Sequence, residues 1–474
     1  MKKKTLINIS KKTFIQVSIL LFSLLLVSIA MTYFVQKGDF GTLADGQTDY
    51  LEYIPRTDKG GINILKGILA PVLVFTSGDG LTLIMLSLFL FVISAAFQVM
   101  NDVGGIRTLV GAVSDRFREH RRTLLVLISF LFYSFGAFLG LFEEMLTMLP
   151  IITALCVMVG YDSFSGFICC IIACGFGFAS AITNPFTVLL ASEIIGANPM
   201  VHIWFRFLIF AVMFALLMAF LFLYLRKITR NPEASLTLAH DRELKDVEAA
   251  ETDQETSSGG SRRVKVTYTV FLSVSLALII VSSLLQALRS YTVVVLTAYF
   301  LIFGLVAGTV ASGDFGKVLR SFGRGMLGVL PSLMFIALAA SIKYVFDEGG
   351  IMPTIVHQIN VLISGHSPFM VALVIYLIVL LLEFFISSST AKAILVMGLL
   401  AMVNTGLSKQ MLVLLYTFAD GYTNVIFPTS PVLLISLSMI GVPYFSWVKK
   451  SLPLFAANVV LVIAFIALGL GLGY

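Results

Sequence analysis

Charge is what this 474-residue chain has little of: 12% of its residues are Asp, Glu, Lys or Arg, while 58% are hydrophobic. Soluble domains carry roughly 25% charged residues, so a water-soluble fold is excluded and an integral membrane protein is implied. Histidine is scarce as well. The five present form no metal-ligand spacing such as H-E-x-x-H, and there is no nucleotide-cradling glycine loop. Neither a metal nor a cofactor is expected, and the energy for any work must come from ion or exchange gradients. The four cysteines (Cys156, Cys169, Cys170 and Cys174) sit in apolar stretches without disulfide or C-x-x-C spacing. They read as small buried packing residues.

What the chain does have is long uncharged runs, with a mean hydropathy of +0.98. Such runs are long enough to cross about 30 Å of hydrocarbon. Because they are continuous rather than alternating, helices are implied and a barrel is not. The net charge of +6 and the pI near 9.0 come from Lys and Arg gathered in loops, as orientation signals. Lys2, Lys3, Lys4, Lys11 and Lys12 precede an apolar run from Phe14 to about Val35. That run is too long for a cleavable signal, so it is expected to be a retained first helix with a cytoplasmic N-terminus.

The chain also repeats itself. Phe178-Ala179-Ser180-Ala181-Ile182-Thr183-Asn184 returns as Phe418-Ala419-Asp420-Gly421-Tyr422-Thr423-Asn424, 240 residues later (418 − 178). Asp102-Val103-Gly104-Gly105-Ile106 returns as Asp347-Glu348-Gly349-Gly350-Ile351, 245 residues later (347 − 102). Each copy of the Thr-Asn motif interrupts an apolar stretch with helix breakers: Pro185 in the first, Gly421, Pro428 and Pro431 in the second. Two weakly similar halves with broken helices at matching positions point to the binding site of a secondary transporter.

The expected fold is an all-α polytopic membrane protein of two inverted-topology repeats plus extra helices. Each repeat has a re-entrant hairpin and a broken transmembrane helix. Residues 1–225 form the first repeat, with a hairpin at about 123–158 and a broken helix at about 164–195. An outer polar loop is expected from Lys37 to about Gly61, and an amphipathic surface arm between Gly105 and Arg118. Residues 226–265 read as a flexible cytoplasmic linker. Residues 266–474 form the second repeat, with a hairpin at about 368–403 and a broken helix at about 409–441. An extra helix near Tyr268 changes the parity, so the second half is expected to lie upside down relative to the first.

Several segments together resemble the YfcC family. They are Gly140-Leu141-Phe142-Glu143-Glu144, Thr183-Asn184-Pro185-Phe186, Ser387-Ser388-Ser389-Thr390-Ala391-Lys392, Asp420 to Asn424 with Pro428-Thr429, and Val442-Pro443-Tyr444-Phe445-Ser446-Trp447. That family is grouped with anaerobic C4-dicarboxylate carriers in the ion transporter superfamily. The resemblance implies two opposed hairpins and a homodimer working by an elevator motion in a bacterial-type inner membrane. Its members are described as basic amino-acid antiporters of the arginine/ornithine kind or as carboxylate carriers.

Candidate substrate-binding residues follow from chemistry and position. Glu143 and Glu144 lie at the expected first tip, where an intramembrane acid binds a cation, relays protons or faces a cavity. Being adjacent, they point in different directions, so at most one is expected to face substrate. Thr183, Asn184, Thr423 and Asn424 supply hydroxyls and amides at the two breaks. Their alternative role is to cap the interrupted helices. Ser387, Ser388, Ser389 and Thr390 form a hydroxyl run at the second tip, suited to a carboxylate or to close packing. Asp420 and Thr429 lie beside the second break. Glu383 and Lys392, nine residues apart across the second tip, could pair structurally, while Arg206 and Lys343 near span ends are expected to snorkel.

This distribution favours antiport of an amino acid of the arginine/ornithine type over an H+- or Na+-coupled C4-dicarboxylate or other organic anion. Neither a channel nor an intramembrane enzyme accounts for paired breaks and tips; Ser389 and Lys392 would be the candidate nucleophilic pair for an enzyme.

Overall fold

The computed structural model describes residues 11–42, 48–58, 60–78, 80–117, 119–242, 258–285, 291–363, 365–386, 389–403 and 405–474. Among these, eight helices are long and apolar enough to cross a membrane: Val17–Phe34, Gly80–Asp102, Arg121–Leu139, Ile203–Arg230, Arg262–Ser282, Thr292–Ser312, Phe315–Gly349 and Tyr444–Gly471. Shorter apolar helices, Leu149–Met158, Ser163–Ala179, Pro185–Ile195, Pro368–Glu383 and Lys392–Met402, lie between them. The protein is a multi-pass helical membrane protein.

One layer is built by the helices 80–102 and 315–349, which run antiparallel. Asp102 pairs with Arg324 at 2.7 Å and the Ser94 hydroxyl donates to the Gly325 carbonyl. At the other end, Lys66, ahead of the first helix, pairs with Glu348. The two Asp-x-Gly-Gly-Ile copies therefore sit at opposite ends of this helix pair. The N-terminal helix and the helix 292–312 flank it. Gly304 and Gly308 allow the close approach: a Cβ on either would strike Ala96 or Val99.

The order of elements recurs in the two halves. A surface arm (Gly105–Arg116, Met352–Ile363) leads to two shorter helices with an irregular turn between them. An interrupted helix follows, and a 28-residue helix closes each half (Ile203–Arg230, Tyr444–Gly471). Left-handed glycines punctuate both halves at matching places: Gly104 and Gly350, Gly160 and Gly406, Gly196 and Gly441. Positive φ is strained for any side chain with a Cβ, so these stops are fixed by sequence.

In the first half the helix Arg121–Leu139 widens over its last turn and ends at Gly140, whose φ is +69°. A tight turn over Glu143–Thr147 follows, then Leu149–Met158. Arg121, at the start of this unit, lies against Gly160, just past its end. Gly136 and Gly177 let the unit cross the helix 163–179 at backbone distance, since a Cβ on either would strike a carbonyl oxygen of the other segment.

The sequence treats Lys37 to Gly61 as a plain loop, but Gly38–Thr42 and Thr48–Pro55 pair as an antiparallel hairpin. It lies on the second arm: Tyr53 stacks on His357 at 4.3 Å and hydrogen bonds Thr354. The helix beginning at Ile203 runs to Arg230, and the segment after it packs down rather than leaving the body at once. Asp162 accepts from the Tyr224 and Ser235 hydroxyls. Asp241 accepts from the hydroxyl and N–H of Ser163. Burial raises the Asp241 carboxyl above its ordinary value. All four cysteines are buried and unpaired with one another.

Candidate functional site

The two interrupted helices cross where they break. Gly421 lies on the backbone of Ala179, so closely that a Cβ there would overlap it, and Gly175 lies against Val425. Beyond the crossing, each half reaches into the other. The half-helix after the first break packs on the helix Ser389–Met402 of the second half, and the half-helix Pro431–Met439 packs on the tight turn Glu143–Thr147 of the first. The candidate residues are gathered around this interlock.

At the first break, Asn184 is fully buried and its amide is committed on both sides. Nδ2 donates to the Gly136 carbonyl at 3.1 Å, and Oδ1 accepts from the N–H groups of Phe186 and Thr187. It is the cap of the half-helix starting at Pro185, where an N-terminal N–H would otherwise lack a partner. The Thr183 hydroxyl donates to the Phe138 carbonyl at 3.3 Å. Gly140 sits directly on this cap, where a side chain would collide with Asn184 and Phe186. The tip and the break therefore form one unit.

The second break is satisfied differently. Thr423 Oγ1 donates back to the carbonyls of Ala419 and Asp420, and Asn424 Nδ2 donates to the Asp420 carbonyl at 2.9 Å. The closing helix holds the carbonyls beyond them: Trp447 Nε1 donates to Val425 at 2.9 Å and the Tyr444 hydroxyl to Ile426 at 2.8 Å. Arg206 holds the corresponding place in the first half. Expected to snorkel, it is instead buried, with Nη1 donating to the Ala181 carbonyl at 3.1 Å. Thr429 is buried beside Ser430, which caps the next half-helix.

The two tips carry opposite chemistry. At the first, Glu144 is buried and accepts from the Phe142 N–H at 3.2 Å, whereas Glu143 is exposed. The turn that carries Glu143 packs against the half-helix Pro431–Met439 of the second half. At the second, Lys392 is completely buried. Its ammonium pairs with Glu383, on the preceding helix, and lies 2.5 Å from Asp420 Oδ1. Asp420 Oδ2 accepts from the Ser389 hydroxyl at 2.8 Å, and the Tyr416 hydroxyl fixes Ser389 through its carbonyl. Ser387 and Ser388 lie outside the described residues, and of Thr390 only its place in the helix is described.

Sequence spacing suggests the Glu383–Lys392 pair but gives no hint that Lys392 also engages Asp420, 28 residues further on (420 − 392). Nor does it show that Arg206, Tyr444 and Trp447 brace the breaks. The aromatic pair does fall in the Val442–Trp447 stretch that the sequence singles out.

The chain matches a known family and is similar to several known proteins. The C4-dicarboxylate anaerobic carrier family, DcuC, matches residues 14–470. YfcC of Escherichia coli (strain K12), by its name a candidate basic amino acid antiporter, is 26% identical over 381 residues, covering 78% of this chain and 74% of that one. An uncharacterized protein of Haemophilus influenzae is 23% identical over 368 residues, covering 77% and 71%. Among solved structures, the YdaH transporter of Alcanivorax borkumensis aligns over 97% of this chain and 99% of its own, at 15% identity and a TM-score of 0.46. The Neisseria gonorrhoeae MtrF structure, titled as illuminating a class of antimetabolite efflux pumps, aligns over 95% and 94% with a TM-score of 0.45. With a match from residue 14 to residue 470, this chain belongs to the C4-dicarboxylate anaerobic carrier family of membrane transporters.

Proposed function

We propose that the protein is a secondary antiporter of a small amino acid bearing both a carboxylate and a cationic side group, of the arginine/ornithine kind. One observation carries this reading: the cations at the interlock are already engaged while a carboxylate is open. Lys392 is held between Glu383 and Asp420, and Arg206 donates to a backbone carbonyl, but Glu143 is exposed on a turn that packs against the second half. A guanidinium or ammonium placed there would pair with the Glu143 carboxylate. The substrate carboxylate would meet the start of the helix Ser389–Met402, where helix N-terminal N–H groups favour an anion. The name borne by the Escherichia coli relative is consistent with this reading.

In the mechanism we infer, the two halves are inverted repeats, and the units 121–158 and 368–402 are opposed re-entrant hairpins. The antiparallel helices 80–102 and 315–349, the matched left-handed glycines and the contact of Arg121 with Gly160 support this. The tips and breaks would move together against the outer helices in an elevator motion, within a homodimer in a bacterial inner membrane and with the N-terminus cytoplasmic. The interlocked half-helices would make the moving body rigid.

The alternative reading is an H+- or Na+-coupled dicarboxylate carrier. It is favoured by the family's own description and by the same helix start at Ser389. The deciding experiment is exchange in proteoliposomes preloaded with arginine or ornithine, or with succinate or fumarate, following labelled uptake. Trans-stimulation by the basic amino acids alone is expected. Trans-stimulation by the dicarboxylates alone would overturn the amino-acid reading and establish the alternative.

A further inference from the structure

The triad of Glu383, Lys392 and Asp420 is one positive charge short. Two carboxylates share a single ammonium, and all three side chains are out of contact with solvent, at 3%, 0% and 0% exposure. Leaving a net negative charge at such a place is costly, because the desolvation of each ion is offset only by matched partners. Like-charged carboxylates sharing one site are relieved when one of them takes a proton. Among the described residues, Lys392 is the only cation that pairs with Glu383 or Asp420. Ser389, which donates to Asp420, and Tyr416, which donates to the Ser389 carbonyl, carry neutral hydroxyls.

A metal cation is a poor fit for the missing charge. Asp420 Oδ2 accepts from Ser389, while Oδ1 lies 2.5 Å from the Lys392 ammonium without a hydrogen bond to it. The nearby Ile386 carbonyl is itself within 3.4 Å of the Lys392 ammonium. Hard cations gather several oxygens around themselves, and among the described residues no three acidic, histidine or cysteine side chains are grouped to hold one. A proton needs one lone pair and no shell.

We infer that the Glu383–Lys392–Asp420 triad is the proton-binding site of the transporter, and that its proton leaves when a cationic substrate group settles between Glu143 and Asp420. This rests on the transport reading above and adds the coupling ion to it. The balance is simple. One O–H bond forms when a carboxylate of the triad takes up a proton that originates in bulk water, where an O–H bond of hydronium breaks. The new bond breaks when the incoming cation supplies the positive charge instead, and the proton returns to water. Cation and proton therefore exclude each other, which is the condition for exchange. A dianionic substrate would have the opposite sign and draw a proton in.

The test is an infrared titration of the purified full chain, reading the carboxylic-acid C=O stretch that only a protonated carboxyl gives. Wild type is expected to show this signal at neutral pH. Glu383→Gln or Asp420→Asn should each abolish one carboxyl's worth of it, because either change leaves a neutral pair that needs no proton. Glu348→Gln, on the exposed partner of Lys66, should leave it unchanged. Lys392→Gln should increase it. If neither Glu383→Gln nor Asp420→Asn alters the neutral-pH signal, the triad holds no proton and the inference is overturned. Adding arginine to wild type should then diminish the signal, and arginine that binds without diminishing it would overturn the exclusion of proton by cation. If arginine does not bind at all, the amino-acid reading fails, while the comparison of variants still decides whether the triad carries a proton.

Discussion

Replacing Lys392 with methionine removes the ammonium lodged between Glu383 and Asp420 and leaves two carboxylates facing each other without water. Methionine is likewise unbranched and only one heavy atom shorter, so the change is mainly electrostatic. Breaking a buried ion pair by deleting one partner costs about 3–5 kcal/mol, because the remaining charge is stranded. Whether the charge left behind stays stranded or is neutralised by taking up a further proton, the ammonium's partner is lost, so a loss of about 3 kcal/mol is expected at neutral pH. The same principle gives the control: replacing a whole buried ionic group by neutral side chains is often close to neutral. The triple variant Lys392→Met, Glu383→Gln, Asp420→Asn should therefore be markedly more stable than Lys392→Met alone. The four buried, unpaired cysteines provide the assay, since a thiol-reactive dye reaches them only as the fold opens. Dye reaction across a denaturant series would give the ranking wild type, triple variant, single variant. The gap between the last two should narrow on acidification, which neutralises the stranded carboxylates. A single variant as stable as wild type at neutral pH, or a triple variant no better than the single, would refute the electrostatic account of the triad.

Glu143→Gln should leave the fold intact and weaken arginine exchange by about 10- to 100-fold, the worth of one hydrogen bond to a charged group. Glu144→Gln, whose side chain is turned inward onto the Phe142 N–H, should alter folding yield more than apparent affinity, and equal loss of exchange in both would remove that distinction. Gly421→Ala forces a Cβ into the backbone of Ala179 and should cost about 1–3 kcal/mol as overpacking, read by the same dye assay; unfolding that matches wild type would show that the breaks do not cross so tightly. Asp241 has its carboxyl raised by burial, so its favourable contribution is fully present below the unfolded carboxylate value of about 4 and is lost as pH rises through the folded value. Asp241→Asn should flatten that part of the stability profile, and an unchanged profile would mean that the linker segment does not couple to pH.

The frame of this protein is legible in its sequence because helix stops are chemical. Proline favours the first turn of a helix over its interior, glycine adopts positive φ without strain, and asparagine caps. The break at Thr183-Asn184-Pro185, the tip at Gly140 and the glycine at each arm can all be read that way. The hairpin at 38–55 is not legible from charge alone. Its strands are short and polar, and what holds them is the distant arm that carries Thr354 and His357. Arg206 escapes for a related reason. A cation near a helix start reads as interfacial, and only the folding back of the first break brings the Ala181 carbonyl to it. The meeting of Lys392 with Asp420 depends on how the second tip docks against the second broken helix, which spacing does not encode. Glu143 and Glu144 are neighbours in sequence with different fates, and the direction of one tight turn separates them.

The breaks themselves bear on how recognition works. A helix interrupted within a membrane frees carbonyls, and such carbonyls can serve as a cation site. Here they are answered by the protein itself: Ala181 by Arg206, Asp420 by Asn424, Val425 by Trp447 and Ile426 by Tyr444. With these carbonyls occupied, the proposed recognition falls to side chains at the two turns. There the halves differ: Glu143 is exposed at the first, while at the second a buried lysine is shared by two carboxylates. On the proposed antiport reading, an open carboxylate together with a helix start suits a substrate whose own two ends carry opposite charge better than one with the same charge at both.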